Sequence, residues 1–163
     1  MAPVEVLLIE DNPGDAFLMR LILAESKTPI TVNLAHDGME ALLMLASDAI
    51  HPDLIIVDLN IPHISGHQVM ERYRQKDIPV VVFSSSWDEE DKRRSLALGA
   101  REFVRKPLGA EAYRQAVCHM VEKWALHRES EDQPAADRPG RSAKRSRTRA
   151  SKGTPKASAQ RTN

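Results

Sequence analysis

Apolar residues recur along most of the chain in short runs that alternate with one-sided helical patterns. Three runs are almost unbroken, at residues 4–9, 54–57 and 80–83, as is typical of strands covered on both faces in a parallel sheet. Two other segments, residues 30–34 and 101–105, mix polar and apolar positions, which suits strands nearer the sheet edges. The pattern therefore predicts five strands, with the three apolar runs in the centre.

Segments with helix-start signals lie between and after these strands. The signals are Asn12 before Pro13, the capping-box pairs Asp37 with Glu40, Ser65 with Gln68 and Ser86 with Glu89, and Gly109 before the last helix. The last segment repeats apolar residues at helical spacing from Tyr113 to Trp124, a stripe that packs on a sheet. Five βα units with right-handed crossovers predict an α/β fold, a doubly wound (βα)5 domain with a five-stranded parallel sheet.

Charge is divided unequally between the two ends of the chain. Residues 138–163 hold 9 of the 23 Lys and Arg residues and no Asp or Glu. Residues 1–137 therefore hold the other 14 basic residues and all 23 acidic ones. This basic stretch has no aliphatic side chain larger than alanine or proline and no aromatic residue, so it cannot form a core. We expect a domain at residues 1–127 and a basic, low-complexity disordered tail at residues 128–163. Without a membrane-spanning stretch or signal sequence, a cytoplasmic protein is expected.

Polar residues follow four of the predicted strands, at the edge where the carboxyl ends of parallel strands meet. Glu10 and Asp11 follow the first strand, Asp58 the third, Ser84 the fourth and Lys106 the fifth. Three carboxylates in one small space favour a hard divalent cation, Mg²⁺ or Mn²⁺, and no His/Cys pattern indicates zinc. An aspartate can attack phosphorus, and serine and lysine can then bind the phosphoryl oxygens. The sequence thus predicts a phosphoryl-transfer site.

These motifs, in this order and spacing, resemble the receiver domains of two-component response regulators over residues 4 to about 127. The resemblance rests on Glu10 and Asp11, the segment from Asp58 to Gly66, Ser84, Gly99 with Ala100, and Lys106 with Pro107. It implies a flavodoxin-like sheet with strand order 2-1-3-4-5 and a cis bond before Pro107. It also implies a signalling switch that catalyses only its own phosphoryl transfer and dephosphorylation, and is not otherwise an enzyme.

The resemblance assigns a role to each site residue. Asp58 is the phosphoacceptor for a histidine kinase, with Ser84 and Lys106 as its catalytic partners. Ser84 and Phe103 form the switch, although many receivers have tyrosine where this chain has Phe103. The metal, Mg²⁺ or Mn²⁺, is held by Asp11, Asp58 and the Asn60 backbone carbonyl, with Glu10 acting mainly through a metal-bound water.

Partners are also suggested by the resemblance. The opening from Glu10 to Asp15 is similar to small stand-alone receivers that serve phytochrome-type and other hybrid histidine kinases. Related receivers often form homodimers through the face built from helix 4, strand 5 and helix 5, and the mixed charges predicted there suit such pairing. We therefore expect a phosphorylation-dependent change of partner at this face.

Competing functions fit parts of the same pattern. A flavodoxin-like FMN binder needs an anion-accepting turn where Glu10 and Asp11 would repel phosphate, and a haloacid-dehalogenase-type phosphatase has its aspartates at the first strand. A receiver-fold scaffold that acts through its surface and tail without phosphorylation stays open. The tail's positive charges suit nonspecific nucleic acid, an anionic membrane, an acidic protein surface or the acidic domain itself, and a tail with no binding role is equally open.

One tryptophan and two histidines lie near predicted helix starts, outside the proposed phosphoryl-transfer site. Trp87, before the fourth helix, either meets a partner or packs its own loop. His63 and His67 flank the start of the third helix and lack a metal-ligand companion, so we expect both at the surface.

Overall fold

Strands and helices alternate along the computed structural model, which describes residues 3–47, 49–73 and 77–126. The predicted tail at residues 128–163 lies outside these residues. The elements are β1 (Val4–Ile9), α1 (Pro13–Ala24), β2 (Ile30–Ala35), α2 (Gly38–Ala46), β3 (Leu54–Val57), α3 (Gly66–Arg72), β4 (Val80–Ser84), α4 (Glu89–Ala97), β5 (Glu102–Arg105) and α5 (Ala110–Val121).

The five strands form one parallel sheet in the order β2-β1-β3-β4-β5, which confirms the predicted fold. The apolar runs occupy the three central positions, and every residue of β3 and β4 is buried. The two mixed segments form the edge strands, where most residues are only partly buried. Hydrophobic burial on both faces therefore selects the centre of the sheet, as the sequence pattern predicts.

Successive side chains of each strand point to opposite faces, which produces two apolar layers. Leu54 and Ile56 of β3 pack in the layer that contains α1 and α5. Ile55 and Val57 pack in the other layer, with side chains from α2 and α3 and from the end of α4. The sheet therefore separates the α1 and α5 layer from the layer of α2, α3 and α4.

Four of the five predicted helix starts are confirmed, and they fix where helices leave the carboxyl edge of the sheet. Gly109 precedes α5 without a side-chain hydrogen bond, and the other three are capped by side chains. Asn12 accepts hydrogen bonds from the first-turn amides of α1, and Asp37 does the same for α2. Ser65 begins α3 with a reciprocal capping box. The prediction for Ser86 is wrong, because Asp88 caps α4 and the Ser86 hydroxyl donates to a helix side chain instead.

The expectation that His67 lies at the surface is also wrong. His67 is buried, with 6% of its surface exposed, whereas His63 is exposed. His67 lies three residues before Met70, so it shares the helix face that packs inward. Its ring is satisfied there by polar partners on α4.

The chain after α5 continues as a π-helical turn, Glu122–Leu126, that contacts the edge strand β5. The Trp124 indole N–H and the Lys123 ammonium both donate to Glu102, at 2.7 and 3.1 Å. These contacts attach the end of α5 to the strand that carries Phe103. Among the described residues, no helix is long and apolar enough to cross a membrane.

Candidate functional site

Four of the predicted site residues are positioned by strands that end at the same edge of the sheet. The backbone ladder continues into the site, since the Asp58 amide donates to the Ile9 carbonyl and the Lys106 amide donates to the Ser84 carbonyl. Glu10, Asp58 and Ser84 are buried, with 1%, 6% and 0% of their surfaces exposed. Buried polar groups at the ends of central strands need partners, and Lys106 provides them for both carboxylates.

Lys106 is the centre of the cluster. Its Nζ atom lies 2.6 Å from Glu10 Oε2, 2.7 Å from Asp58 Oδ2 and 2.8 Å from Asp15 Oδ2. Only 9% of the lysine side chain is exposed, so water screens these contacts poorly. One ammonium therefore joins three carboxylates that come from two different parts of the chain.

Burial and hydrogen bonding shift the pKa values of Glu10 and Lys106 in opposite directions. Burial raises the pKa of Glu10, and the hydrogen bonds from Lys106 and from the Asn12 amide only partly offset that rise. Burial by itself would lower the pKa of Lys106, but the hydrogen bonds to Asp15, Asp58 and Glu10 raise it overall. Lys106 is thus held in its charged form, and Glu10 holds a proton more tightly than an exposed carboxyl.

Asp58 is oriented through both of its carboxylate oxygens. Oδ2 accepts from Lys106, while Oδ1 accepts from the Asn60 amide at 3.1 Å. The backbone behind it is tightly packed, because a side chain at Gly66 would place its Cβ 2.4 Å from the Asp58 carbonyl oxygen. The close approach of α3 therefore fixes the position of the predicted phosphoacceptor.

The charge of the cluster matches a divalent cation. Glu10, Asp15 and Asp58 share one ammonium, so full ionisation leaves two negative charges uncompensated. Asp11 lies exposed beside them and makes no hydrogen bond or ion pair within the described part of the chain. Hard oxygen donors with excess negative charge are the chemistry that Mg²⁺ and Mn²⁺ prefer, so this donor set fits such an ion.

The arrangement itself is not that of a preformed metal cage. No group of three His, Cys, Asp or Glu side chains in the described ranges is placed to hold a metal ion. Lys106 lies among the carboxylates that the resemblance assigns to the metal, and Asp11 is exposed to solvent. The metal roles of Glu10, Asp11, Asp58 and the Asn60 carbonyl stay predictions.

The two predicted switch residues lie on the same face of the sheet. Phe103 pairs in register with Val82, and Ser84 is two residues farther along β4, so both belong to the layer of α2, α3 and α4. Ser84 is fully buried, and Phe103 is only partly buried against that layer. The expected cis bond before Pro107 is absent, since every described peptide bond is trans, the form that proline also prefers.

Sequence reasoning missed Asp15 as a member of the site. Asp15 follows the Asn12 cap in the first turn of α1, where an acidic residue is ordinarily explained by the helix dipole. Its carboxylate nevertheless reaches Lys106, 91 positions away in sequence. The available signal was its place in the first turn of a helix that starts at the site edge.

Trp87 lies beside the site on an exposed loop, with 74% of its surface exposed. The Arg105 guanidinium lies 4.8 Å from the centre of the indole ring and also pairs with Glu89. Trp87 thus stacks on Arg105 of β5, and this contact leaves most of the indole ring exposed to solvent and accessible to a partner.

The family model of the response regulator receiver domain matches residues 6–118. The chain is 31% identical over 136 residues to the response regulator MprA of Mycobacterium ulcerans, covering 82% of this chain and 55% of that protein. It is also 32% identical over 136 residues to the sensor histidine kinase TmoS of Ectopseudomonas mendocina, covering 78% of this chain but only 14% of that protein. The chain therefore spans only part of the length of these curated relatives.

Two solved structures show similarity over a larger share of their own length. The phosphorylated cyanobacterial phytochrome response regulator RcpA is 35% identical with a TM-score of 0.71, over 76% of this chain and 94% of that one. The Mn²⁺-bound response regulator Rcp1 is 28% identical with a TM-score of 0.71, over 82% of this chain and 100% of that one. This chain belongs to the response regulator receiver domain family.

Proposed function

We propose that this protein is a single-domain response regulator that accepts a phosphoryl group on Asp58 from a histidine kinase. The observation that carries the proposal is the buried cluster in which Lys106 joins Asp58 to Glu10 and Asp15 at the carboxyl edge of the sheet. Burying such charges at the ends of central strands costs desolvation energy, and clusters of this kind are concentrated at functional sites. Membership of the receiver domain family supports phosphoryl acceptance as the function of this cluster.

The reaction is a transfer between two side chains. An Asp58 carboxylate oxygen attacks the phosphorus of a phosphorylated imidazole, the phosphorus–nitrogen bond breaks, and the imidazole leaves with its electron pair. Lys106 then exchanges its contact with Asp58 for one phosphoryl oxygen, and the Ser84 hydroxyl donates to another. Attack by water on the same phosphorus later releases inorganic phosphate and restores the carboxylate, so the protein catalyses only its own modification and its removal.

A bound Mg²⁺ would neutralise charge on the phosphoryl oxygens during transfer. The residues that would hold it are Asp11, Asp58 and the Asn60 carbonyl, with Glu10 acting through a water. Support comes from the excess negative charge of the cluster and from the similarity to Rcp1, whose structure is a Mn²⁺-bound form.

The phosphoryl group acts as a signal by favouring a second arrangement of the α4 face. Ser84 and Phe103 share the layer beneath α4, so inward movement of the serine leaves space that the phenylalanine ring can enter. Phe103 lacks a hydroxyl, so its outward position has no hydrogen bond to lose. Partner binding changes because the phosphoryl group stabilises one arrangement over the other.

Two kinds of partner belong to this proposal, a phosphoryl donor and a second copy of the chain. The donor is a histidine kinase, and similarity to RcpA, a phytochrome response regulator, supports a phytochrome-type or hybrid kinase. We also propose a homodimer through the face formed by α4, β5 and α5. Several charged residues of this face already have partners within the chain, which leaves fewer charges to pair between two copies: Glu89, Asp91, Arg93, Arg94, Glu102 and Arg105. Light scattering with and without phosphorylation tests it, and an unchanged monomer mass would remove the dimer.

Intact mass after incubation with acetyl phosphate and Mg²⁺ tests the proposed function. The unmodified chain should gain one phosphoryl group, and Asp58→Asn or addition of a chelator should prevent the gain. Asp37→Asn is the matched control, because asparagine caps α2 as well as aspartate does and Asp37 lies outside the cluster. If no protein gains the group while a control receiver does, the phosphorylation-independent scaffold becomes the better explanation.

A further inference from the structure

A buried histidine connects α3 to α4 beside the proposed switch. His67 Nε2 lies 3.0 Å from Ser95 Oγ and 3.2 Å from the Asp91 carbonyl oxygen. The Ser95 hydroxyl itself donates to that carbonyl at 2.7 Å. Because a carbonyl oxygen only accepts, Nε2 carries a hydrogen and donates to this pair of oxygens.

The backbone carbonyl and the side-chain carboxylate of Asp91 accept hydrogen bonds from different partners. Its backbone carbonyl faces His67 and Ser95 inside the domain, and its carboxylate accepts from the Ser86 hydroxyl at 2.5 Å. A hydroxyl that donates to a carboxylate makes a short and comparatively strong hydrogen bond. Asp91 therefore ties the loop between β4 and α4 to the contact between α3 and α4.

Ser86 connects Asp91 to Ser84, the proposed switch residue. The Ser86 amide lies 3.4 Å from Ser84 Oγ, longer than an ordinary hydrogen bond and therefore weak. The Ser86 hydroxyl also accepts from the amide of Asp88, the residue that caps α4. Any movement of Ser84 that carries the loop along must break the bond from Ser86 to Asp91 or move the first turn of α4.

We propose that His67 and Asp91 are positioning residues for the switch, which hold Ser84 in its unphosphorylated position through the Ser86 hydroxyl. This inference rests on the proposed function, because it concerns the energetic cost of the conformation that binds a phosphoryl group. The restraint lowers the fraction of molecules in that conformation and so weakens the apparent affinity for any phosphoryl analogue. Removing the restraint strengthens that affinity.

The test compares Asp91→Ala, Ser86→Ala and the double variant with Glu90→Ala as control. Glu90 precedes Asp91 in the first turn of α4, and among the described residues its side chain makes only an exposed ion pair with Arg93. Its loss therefore reproduces the effect on the helix without touching Ser86. The probe is beryllofluoride with Mg²⁺, a stable phosphoryl mimic. We expect Asp91→Ala to bind it about ten-fold more tightly, the factor that corresponds to a hydrogen bond to a charged group at the lower end of its usual net strength.

The double variant decides whether Asp91 acts through Ser86. If it does, Asp91→Ala adds nothing in the Ser86→Ala background, and His67→Leu shifts affinity in the same direction while His67→Gln, which keeps an N–H donor, restores it. A second readout needs no metal: amide hydrogen exchange of residues 84–88 should be faster in Asp91→Ala than in Glu90→Ala.

The inference is overturned if Asp91→Ala matches Glu90→Ala in both measurements, or if the effects of Asp91→Ala and Ser86→Ala simply add. Unmodified protein that fails to bind beryllofluoride would instead refute the proposed function. Unmodified protein that binds it, with no difference among the variants, refutes the positioning role alone.

Discussion

Replacing Lys106 by methionine would leave Glu10, Asp15 and Asp58 without their shared positive charge while keeping an unbranched apolar stem. Each of the three contacts lies between 2.6 and 2.8 Å. At an effective dielectric constant of about 20, one such contact corresponds to about 6 kcal/mol of attraction before the cost of desolvating the ammonium. Because desolvation offsets much of this attraction, we expect the net loss to be about 3–5 kcal/mol in metal-free buffer at pH 7.

The pH dependence follows from the directions of the pKa shifts. The pKa of Lys106 is raised in the folded protein, so its stabilising contribution is fully present below its unfolded value and is lost only as pH rises through the folded one. The burial-raised pKa of Glu10 means that ionising this carboxyl costs stability as pH rises above its unfolded value. The deficit of Lys106→Met should therefore shrink as pH falls and the Glu10 carboxyl becomes protonated.

Urea unfolding in chelator and in Mg²⁺ measures both effects, with the exposed Lys92→Met as control. Mg²⁺ should stabilise Lys106→Met more than the unmodified chain, because the lysine competes with the ion for the same carboxylates. A Lys106→Met protein as stable as Lys92→Met in chelator at pH 7 would refute the charge argument. Equal stabilisation of both proteins by Mg²⁺ would refute the competition.

Three other substitutions test separate parts of the structure. Gly66→Ala should destabilise the protein by about 1–3 kcal/mol and slow its phosphorylation, since the added Cβ meets backbone behind the phosphoacceptor. Gly109→Ser, with open space around it and a side chain suited to the N-cap of α5, should do neither in urea unfolding and intact-mass assays. Tyr113→Phe should raise the free energy of unfolding by about 1 kcal/mol, because the buried hydroxyl has no hydrogen-bond partner among the described residues; a loss of stability would contradict this. Glu102→Gln should cost about 1 kcal/mol at pH 7 through loss of charge beside Lys123. The pKa of Glu102 is lowered despite partial burial, by the hydrogen bonds from Trp124 and Lys123, so this difference should disappear as pH falls through the folded pKa. A difference that stays constant until the protein unfolds in acid would contradict it.

The fold was predictable because it depends on patterns that are local in sequence. The unbroken apolar runs identify central strands, and the caps at Asn12, Asp37 and Ser65 mark the helix starts that the structure confirms. The edge position of Glu10, Asp58 and Lys106 follows from the parallel sheet alone, since all carboxyl ends lie on one side. Approximate location of the site therefore requires no knowledge of side-chain conformation.

What sequence reasoning missed depends on contacts between distant segments. Asp15 joins the site through a lysine 91 positions later, and His67 is buried through a serine 28 positions later. The start of α4 was misplaced because Ser86 and Asp88 are both good capping residues, and only the contact of Ser86 with Asp91 decides between them. Such competition between equivalent local signals is settled by packing, which the pattern of residue types does not contain.

Neighbouring residues at the end of β4 belong to opposite layers, with a consequence for how such a domain can diversify. The Phe83 ring meets the Tyr113 ring edge to face in the α1 and α5 layer, with centroids 5.1 Å apart. Ser84 faces the opposite layer, where the proposed signal is transmitted. Because side chains alternate along the strand, a substitution at Phe83 acts first on the packing of α1 and α5, whereas one at Ser84 acts first on the layer beneath α4. One strand end therefore offers two adjacent positions at which evolution can alter core packing and signal output by separate substitutions.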